Sequence, residues 1–575
     1  MRDIVTLISN NLAEVMDDLG IDKSDWTPLL TQATDTAHGD VAMPCHALAR
    51  VMRKSPVVIA KEISVACQDK MSSIAEVDSI NGFLNFTATP NWLENAVADV
   101  ASDDRFGVNI EKQRIIVIDY SSPNVAKTMH VGHLRSTVIG DALNRMLTYK
   151  GHHVVPENHI GDWGTPFGML IEHYLELESV AVVDIDFESF YKKARSKFDE
   201  NEEFANKSRN RVVKLQSGDE STLELWQQLV DISLVHFNDV YQKLGVLLTN
   251  EDLAGESKYE VLLPEVVTRL EQANLLSFSQ GAEVVFLEGW VNREGEPLPL
   301  IIRKGDGGFN YATTDLACII DRVENIGSTE FLYVVGQEQT QHFAMVFEVA
   351  RNAGFMDESI RAVHIPFGMV LGTDGKKLAS RGGLAISLKD LLDEAVLRAD
   401  AAIAEKNQEL SESERAEIAR IIGIGAVKYS DLSSDRTKDY TFDWEKMLSF
   451  EGNTSPYLQY AHARICSIFN KSGIKRESAR ESVISLVEPS ELALARSIIG
   501  FAEALDDSCE KYLPHRLATY LHSLAQSFAA FYENCPVLIA EEESVKLSRL
   551  ALCDLTARIL NTGLDLLGIE SPERM

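Results

Sequence analysis

The sequence predicts a multidomain α/β protein built around a doubly wound parallel sheet of Rossmann type. Between about residues 109 and 390, short apolar runs rich in β-branched side chains alternate with stretches of helical hydrophobic spacing. The pattern before this region is mixed, and the pattern after it is almost entirely helical. A chain of 575 residues is also too long for one ordinary hydrophobic core. These observations indicate a sheet-based central domain between an N-terminal α+β module and a C-terminal all-α bundle.

The predicted domain boundaries follow those changes of pattern, at 1–108, 109–390 and 391–575. In the first domain, an opening helix is indicated by helical apolar spacing from Ile4 onward, and residues 82–86 alternate like a strand. The central domain is expected to contain a charged, helical insertion at about 170–300. Its core strands are predicted at residues 115–118, 154–155, 331–335 and 362–365.

Composition and charge exclude several classes of protein. The formal net charge of −32 argues against nonspecific coating of nucleic acid, although a specific RNA contact remains compatible with it. We expect no membrane association, because no apolar run reaches a membrane-spanning length and no leader pattern is present. Seven scattered cysteines without a C-x-x-C pair indicate a reducing, cytoplasmic setting and no zinc or other resident metal.

A pair of histidines marks the candidate nucleotide site. His130 and His133 flank Gly132 where the strand at 115–118 gives way to an amphipathic helix. A helix N-terminus favours phosphate, and two imidazoles can donate hydrogen bonds to phosphate oxygens or stack on a base. The alternative is a purely structural turn. It is disfavoured because the preceding loop also gathers a carboxylate, an amide and a lysine, namely Asp119, Asn124 and Lys127.

Residues 121–137 resemble the HIGH signature region of the arginyl-tRNA synthetases. A bare H-x-G-H also occurs in other class I synthetases and in small nucleotidyltransferases, but the flanking S-P-N-x-A-K and H-L-R-S-T are far more specific. Residues 159–168, 311–317 and 572–575 are similar to the same family, and the likeness extends over essentially the whole chain.

This resemblance implies an enzyme that activates L-arginine with ATP, supplied with Mg²⁺, and releases pyrophosphate. It then transfers arginine from the adenylate to the 3′-terminal ribose of tRNA(Arg). The resemblance gives phosphate-stabilising roles to His130 and His133 and lets adenine approach the backbone at Gly132. It also places His342 near adenine. Met369 is a further candidate for the adenine pocket, although a core position is the commoner one for a methionine.

The second class I signature, the KMSKS loop, is degenerate at residues 375–383. Lys377 can stand for its first lysine, with Lys376 and Ser380 beside it. Family members with such a loop typically have a lysine shortly before the HIGH element, and Lys127 occupies that place. We therefore predict that Lys127 binds the phosphates; its alternative role is that of a solvated loop lysine.

Arginine recognition requires acceptors for a guanidinium, which presents five donors in a planar fork. Asp315 is the central candidate, although a carboxylate there could instead simply complement a helix dipole. Asp119 replaces the longer glutamate of some family members. The positions that match the family's amino-acid pocket are Asp119, Ser121, Asn124, Tyr311, Asp315 and Gln339.

Two regions are expected to contact tRNA. In the N-terminal domain, the resemblance assigns the tRNA elbow to Phe83 and Asn85, with core burial of Phe83 as the alternative. The C-terminal domain resembles the DALR anticodon-binding type at residues 515–518. Aromatic and arginine side chains can stack on splayed bases, although nearby tyrosines could equally be core. The C-terminal candidates are Tyr457, Tyr460, Arg464, Tyr532 and Met575.

Two rival functions remain open at the level of sequence. One is a nucleotidyltransferase or a synthetase for another amino acid, disfavoured because the pocket positions offer carboxylates rather than an apolar slot. The other is a noncatalytic tRNA-binding paralogue, which predicts losses in the signature loops, and only the KMSKS equivalent is eroded. The expected partners are tRNA(Arg), L-arginine and ATP, and the expected assembly is a monomer.

Overall fold

The structure, a computed structural model, describes residues 2–33, 38–177, 187–378, 386–406 and 410–575. Its helices and strands divide among an N-terminal sheet, a central parallel sheet, a small inserted sheet and a C-terminal group of helices. Among the described residues, no helix is long and apolar enough to cross a bilayer.

The N-terminal region is a four-stranded antiparallel sheet in the order β1-β2-β4-β3, covered by helices. The predicted opening helix is present and buries Ile4, Ile8 and Leu12. The predicted strand at 82–86 is the start of β4. The elements are α1 (Arg2–Asp18), α2 (Lys23–Trp26), β1 (Thr31–Gln32), β2 (Val41–Pro44), α3 (Ala49–Met52), α4 (Pro56–Met71), β3 (Ala75–Ile80), β4 (Phe83–Ala88) and α5 (Pro90–Ser102).

The central sheet is parallel throughout, in the order β11-β10-β5-β6, and it confirms the predicted Rossmann-type fold. All its strands lie where the sequence predicted core strands. The register aligns Tyr333 with Asp119 and Asp119 with Glu157, so the carboxyl ends of three strands meet at one edge. The elements are β5 (Ile115–Asp119), α6 (Val131–Tyr149), β6 (His153–Glu157), α13 (Tyr311–Glu324), β10 (Glu330–Tyr333), α14 (Thr340–Asn352) and β11 (Arg361–His364).

The insertion is helical, as predicted. It also contains an antiparallel sheet, β7-β8-β9, which the sequence analysis did not predict because the charged composition favoured helices. The sheet packs through Val285, Leu300 and Ile302 onto the same apolar cluster as α13. Its elements are α7 (Thr165–Leu175), α8 (Phe187–Glu200), α9 (Glu202–Gln216), α10 (Glu220–Leu244), α11 (Glu256–Tyr259), α12 (Leu263–Gln272), β7 (Leu276–Ser279), β8 (Ala282–Val291) and β9 (Pro297–Arg303).

The remainder of the chain is helical apart from a two-stranded parallel pair, β12 with β13. Helices α18, α22 and α23 contact one another and enclose most of the C-terminal core. The elements are β12 (Val370–Leu371), α15 (Leu388–Lys406), α16 (Glu412–Leu432), β13 (Tyr440–Thr441), α17 (Trp444–Met447), α18 (Ser455–Ser472), α19 (Arg476–Arg480), α20 (Pro489–Ile498), α21 (Phe501–Lys511), α22 (Pro514–Asn534) and α23 (Glu543–Leu566).

A buried ion pair joins the central sheet region to the C-terminal helices. Arg135 on α6 is 1% exposed, and its Nε lies 3.1 Å from Oδ2 of Asp431 at the end of α16. Its Nη1 donates to the carbonyl of Lys438, just before β13. Because β13 pairs with β12, this arginine links the helix after the histidine pair to the strand that precedes residues 375–383.

Candidate active site

The two signature histidines build the N-terminus of α6. The amide of Gly132 donates to Nδ1 of His130 at 3.0 Å, and the amide of His130 donates to Nδ1 of His133 at 3.1 Å. These two hydrogen bonds cap the N-terminus of α6. A Cβ on Gly132 would lie 2.7 Å from the His130 ring, so the cap requires a glycine at this position. Since Nδ1 of each ring accepts, the neutral form of each ring carries its proton on Nε2. The cap therefore leaves two Nε2–H donors for a ligand.

Electrostatics keep both rings neutral. Burial lowers the pKa of His133 to about 4, with a further contribution from His130. Burial also lowers the pKa of His130, and the charges of Lys377 and Lys127 add to that effect. His130 is therefore close enough to both Lys127 and Lys377, and His133 to Lys127, for their charges to act on the rings. Lys127 is exposed, with Nζ 4.8 Å from the ring centroid of Tyr191 in the insertion.

Residues 372–378, which include the described start of the KMSKS-like segment, form a tight turn directly after β12. The amide of Gly372 donates to the carbonyl of Lys376, and that of Leu378 donates back to Val370. Lys376 and Lys377 are exposed and line a cleft of about 700 Å³. Met369 is 51% exposed, so it is not the core methionine that its type alone would favour. Ser380 lies outside the described residues.

Asp315 lies on α13 at the carboxyl edge of the sheet. Its Oδ2 is 2.6 Å from Nε2 of His342 on α14, and the ring of Tyr311 lies 4.6 Å from the same imidazole. Gln339, which immediately precedes α14, is half-buried. Two of the predicted arginine-site residues, Tyr311 and Asp315, therefore lie on α13 and both contact His342.

Asp119 and Ser121 are already bound to other groups of the protein. The carboxylate of Asp119 is buried and its Oδ2 lies 2.7 Å from Nη2 of Arg322, a fully buried arginine that also binds Glu157. The hydroxyl of Ser121 is buried against the Tyr241 hydroxyl at 2.8 Å. Both side chains therefore already bond to the protein's own groups, and their place in the arginine pocket stays a prediction.

Asn124, unlike Asp119 and Ser121, has an exposed side chain. It forms a parallel bridge with Gly161, where a Cβ would lie 2.5 Å from Oδ1 of Asn124. Gly161 lies in the family-like segment 159–168, and its lack of a side chain leaves room for the side-chain amide of Asn124 in the family-like segment 121–137.

One acidic residue of the site was missed by the sequence reasoning. Burial raises the pKa of Glu256 at the start of α11; His159 opposes the shift, and the carboxylates of Asp162 and Asp315 reinforce it. Nearby like charges disfavour the ionised form of a carboxyl group, and a shift of this kind is typical of a functional site. No local sequence motif marks Glu256, because it lies in the insertion and only the tertiary fold lets the charge of Asp315 act on it.

The C-terminal candidates separate into two groups. Tyr460, Arg464, Tyr532 and Met575 all line one cavity of about 420 Å³. The guanidinium carbon of Arg464 lies 4.4 Å from the Tyr532 ring centroid and 5.8 Å from that of Tyr460. Tyr457 is half-buried and instead packs near the ring of His522, so it does not share the cavity. The predicted aromatic–arginine surface is therefore assembled from α18, α22 and the end of the chain.

The two N-terminal residues predicted to contact tRNA also differ, in how exposed their side chains are. Phe83 is 39% exposed at the start of β4, with its ring edge-on to His46. Asn85 is only 5% exposed, on an inner strand in which only the first residue, Phe83, is exposed. Asn85 is thus buried where the prediction required an exposed contact.

Comparisons with known proteins agree with this architecture. Residues 96–444 match the family described as "tRNA synthetases class I (R), catalytic domain". Residues 458–575 match the "DALR anticodon binding domain", and residues 3–88 match the "Arginyl tRNA synthetase N terminal domain".

Relatives that match most or all of the chain are arginine–tRNA ligases. The chain is 49% identical to the arginine–tRNA ligase of Thermobifida fusca over 535 residues, 92% of each chain. It is 46% identical to that of Psychromonas ingrahamii, with 100% of this chain and 98% of the relative covered. The solved arginyl-tRNA synthetase of Plasmodium falciparum is 27% identical with a TM-score of 0.83, covering 100% of this chain and 99% of that one. By sequence and by fold, the chain belongs to the arginyl-tRNA synthetase family.

Proposed function

We propose that this chain is an arginine–tRNA ligase, which forms arginyl-adenylate from L-arginine and ATP and then esterifies the 3′-terminal ribose of tRNA(Arg). The observation that carries the proposal is the pairing of two groups at one sheet edge. Asp315, hydrogen-bonded to His342, lies on one side near the starts of α13 and α14, and the imidazoles of His130 and His133 lie on the other at the start of α6, with Lys127 and Lys377 near enough to act on them. Such an edge is where open α/β sheets bind their ligands.

On the phosphate side, adenylate formation builds negative charge on the α-phosphate while pyrophosphate leaves. We infer that the Nε2–H groups of His130 and His133 donate to that charge and that Lys127, Lys376 and Lys377 neutralise the phosphates. Both rings act as neutral donors, so neither needs to carry a proton between groups. ATP would enter with Mg²⁺ as its counterion, and Met369, the further candidate for the adenine pocket, is exposed.

On the amino-acid side, Asp315 and Glu256 supply charge for a guanidinium, and Tyr311 and Gln339 flank Asp315. Asn124 offers an exposed amide near the histidine pair, suited to the α-amino or carboxylate end of the substrate. Asp119 and Ser121 support the floor of the site through Arg322 and Tyr241. A neutral analogue such as citrulline would leave buried charge unpaired and bind poorly.

For tRNA, we propose that bases of the anticodon loop enter the cavity of Tyr460, Arg464, Tyr532 and Met575, where aromatic faces and a guanidinium can stack on them. Phe83 is the N-terminal candidate for an extruded elbow base. We further propose that the enzyme acts as a cytoplasmic monomer, consistent with seven buried, unpaired cysteines.

The test is attachment of radiolabelled amino acids to total tRNA by the full chain. We expect arginine to be attached and lysine, valine and cysteine to be rejected. Attachment of another amino acid would support the rival synthetase, and tRNA binding without any attachment would support the noncatalytic paralogue. Pyrophosphate exchange should be run with and without tRNA, so that a tRNA-dependent activation step is not mistaken for inactivity.

A further inference from the structure

His342 is in contact with the carboxylate proposed to select arginine. Its Nε2 lies 2.6 Å from Oδ2 of Asp315, and the two side chains are only 10% and 18% exposed. The residues come from different helices, α14 and α13, which contact each other. A hydrogen bond to a carboxylate at this distance is charge-assisted and comparatively strong.

The imidazole is held in place independently of that hydrogen bond. The ring of Tyr311 lies 4.6 Å from its centroid at a tilt of 56°, and the ring of Phe343 meets it edge-on at 5.3 Å. A ring fixed on two sides can fix its hydrogen-bond partner. Rotation of an aspartate carboxyl about its last bond is otherwise broad, with no strongly preferred angle.

The hydrogen bond is compatible with a bound guanidinium. A carboxylate offers about four lone-pair positions, two on each oxygen. A guanidinium fork that binds both oxygens uses one position on each, and the imidazole uses a second position on Oδ2. Asp315 can therefore accept from His342 and from a substrate fork at the same time, provided that its plane is correctly turned.

We propose that His342 is a positioning residue for arginine selection, turning the Asp315 carboxylate to face a guanidinium. This inference rests on the proposed function, since it takes Asp315 as the group that binds arginine. It differs from the role that the family resemblance suggests for His342, which is a contact with adenine. The two roles predict effects on different substrates.

The experiment compares two variants of the full chain in steady-state arginylation of tRNA. His342→Phe keeps a ring between Tyr311 and Phe343 but removes the donor, and His342→Gln keeps an amide donor. We expect the phenylalanine variant to raise KM for arginine roughly 10-fold, the scale of one hydrogen bond to a charged group, with KM for ATP nearly unchanged. The glutamine variant should recover most of this loss. His153→Phe, at an exposed histidine on β6, is the matched control.

Three outcomes would overturn the proposal. A rise in KM for ATP with an unchanged KM for arginine would assign His342 to adenine. An equal loss in the phenylalanine and glutamine variants would mean that packing, not the donor, matters. Kinetics unchanged in both variants would mean that Asp315 needs no partner. If His342→Phe does not fold, His342→Asn takes its place, because its amide is too short to reach. A wild-type chain that attaches no arginine would instead refute the proposed function.

Discussion

The proposed arginine side and the proposed phosphate side of the active site are built from different kinds of side chain. On the proposed arginine side, the carboxylates are fixed by partners, with Asp315 bound to His342 and the deeper Asp119 bound to Arg322. On the proposed phosphate side, Lys127, Lys376 and Lys377 are exposed and come from loops. Only the histidine pair on that side is fixed, through the cap of α6.

This difference matches what each ligand demands. A guanidinium is recognised by the direction of its donors, so its acceptors must be oriented before it binds. A leaving pyrophosphate needs positive charge more than direction, and a flexible ammonium supplies charge over a range of positions. Substitutions that disturb the orientation of a carboxylate on the arginine side should therefore lower activity strongly. On the phosphate side, the loss of one lysine should lower activity less, because several lysines share the charge.

The largest effect is expected for Asp315→Asn. The substitution keeps shape but removes the charge that faces the guanidinium, so kcat/KM for arginine should fall by roughly 10³-fold or more. Arginylation kinetics of the full chain measure this. Asp306→Asn, at an exposed turn before the same helix, should retain wild-type kinetics. A loss of less than about 10-fold at Asp315 would remove the distinction between the two sides.

Next in size is a loss of stability for Arg322→Met. Two buried carboxylates, Asp119 and Glu157, would lose their partner, and the free energy of unfolding should fall by about 3–5 kcal/mol. Urea unfolding measures the change, and Arg293→Met at an exposed arginine is the control. Adding Asp119→Asn and Glu157→Gln should restore much of the stability, because no unpaired charge then remains. Failure of that rescue would contradict a purely electrostatic role.

A smaller effect is expected for Lys127→Ala. Removing one of three lysines should lower the rate of arginine-dependent pyrophosphate exchange by about 10²-fold, with KM for arginine little changed. Lys214→Ala, at an exposed lysine in the insertion, should behave as the wild type. Exchange at the wild-type rate in Lys127→Ala would show that this lysine does not replace the missing second lysine of the loop.

The smallest effect concerns the pH dependence of the cap. The pKa of His133 is lowered to about 4 in the folded chain, so between pH 6.5 and 4 the unfolded chain binds a proton that the folded chain does not. Stability from this group is therefore complete above pH 6.5 and is lost as the pH falls. Between pH 7 and 5 the wild type should lose about 1–2 kcal/mol more than His133→Gln in urea unfolding. An equal loss in both would indicate that His133 is not held neutral by the fold.

The histidine pair and the core strands were predictable because their signals are local. A β-branched run followed by helical spacing predicted β5 and α6, and the helix start fixed the position of His130 and His133. Local signals do not show contacts that a distant partner decides. Asp119 was predicted to line the arginine pocket, and no local signal showed that its carboxylate also pairs with Arg322, about two hundred positions away. Asn85 was predicted to contact tRNA, and no local signal showed that its side chain is only 5% exposed.

The sequence by itself determined the class of fold, the family and the segments that form the cleft, because periodicity and signature motifs are written in consecutive residues. The tertiary structure alone decided which side chains are free to meet a ligand. It turned Nδ1 of both histidines inward as acceptors, and it joined His342 to Asp315. The physical reason is that hydrogen bonds and charge pairs depend on distances of a few ångströms between residues far apart in the chain.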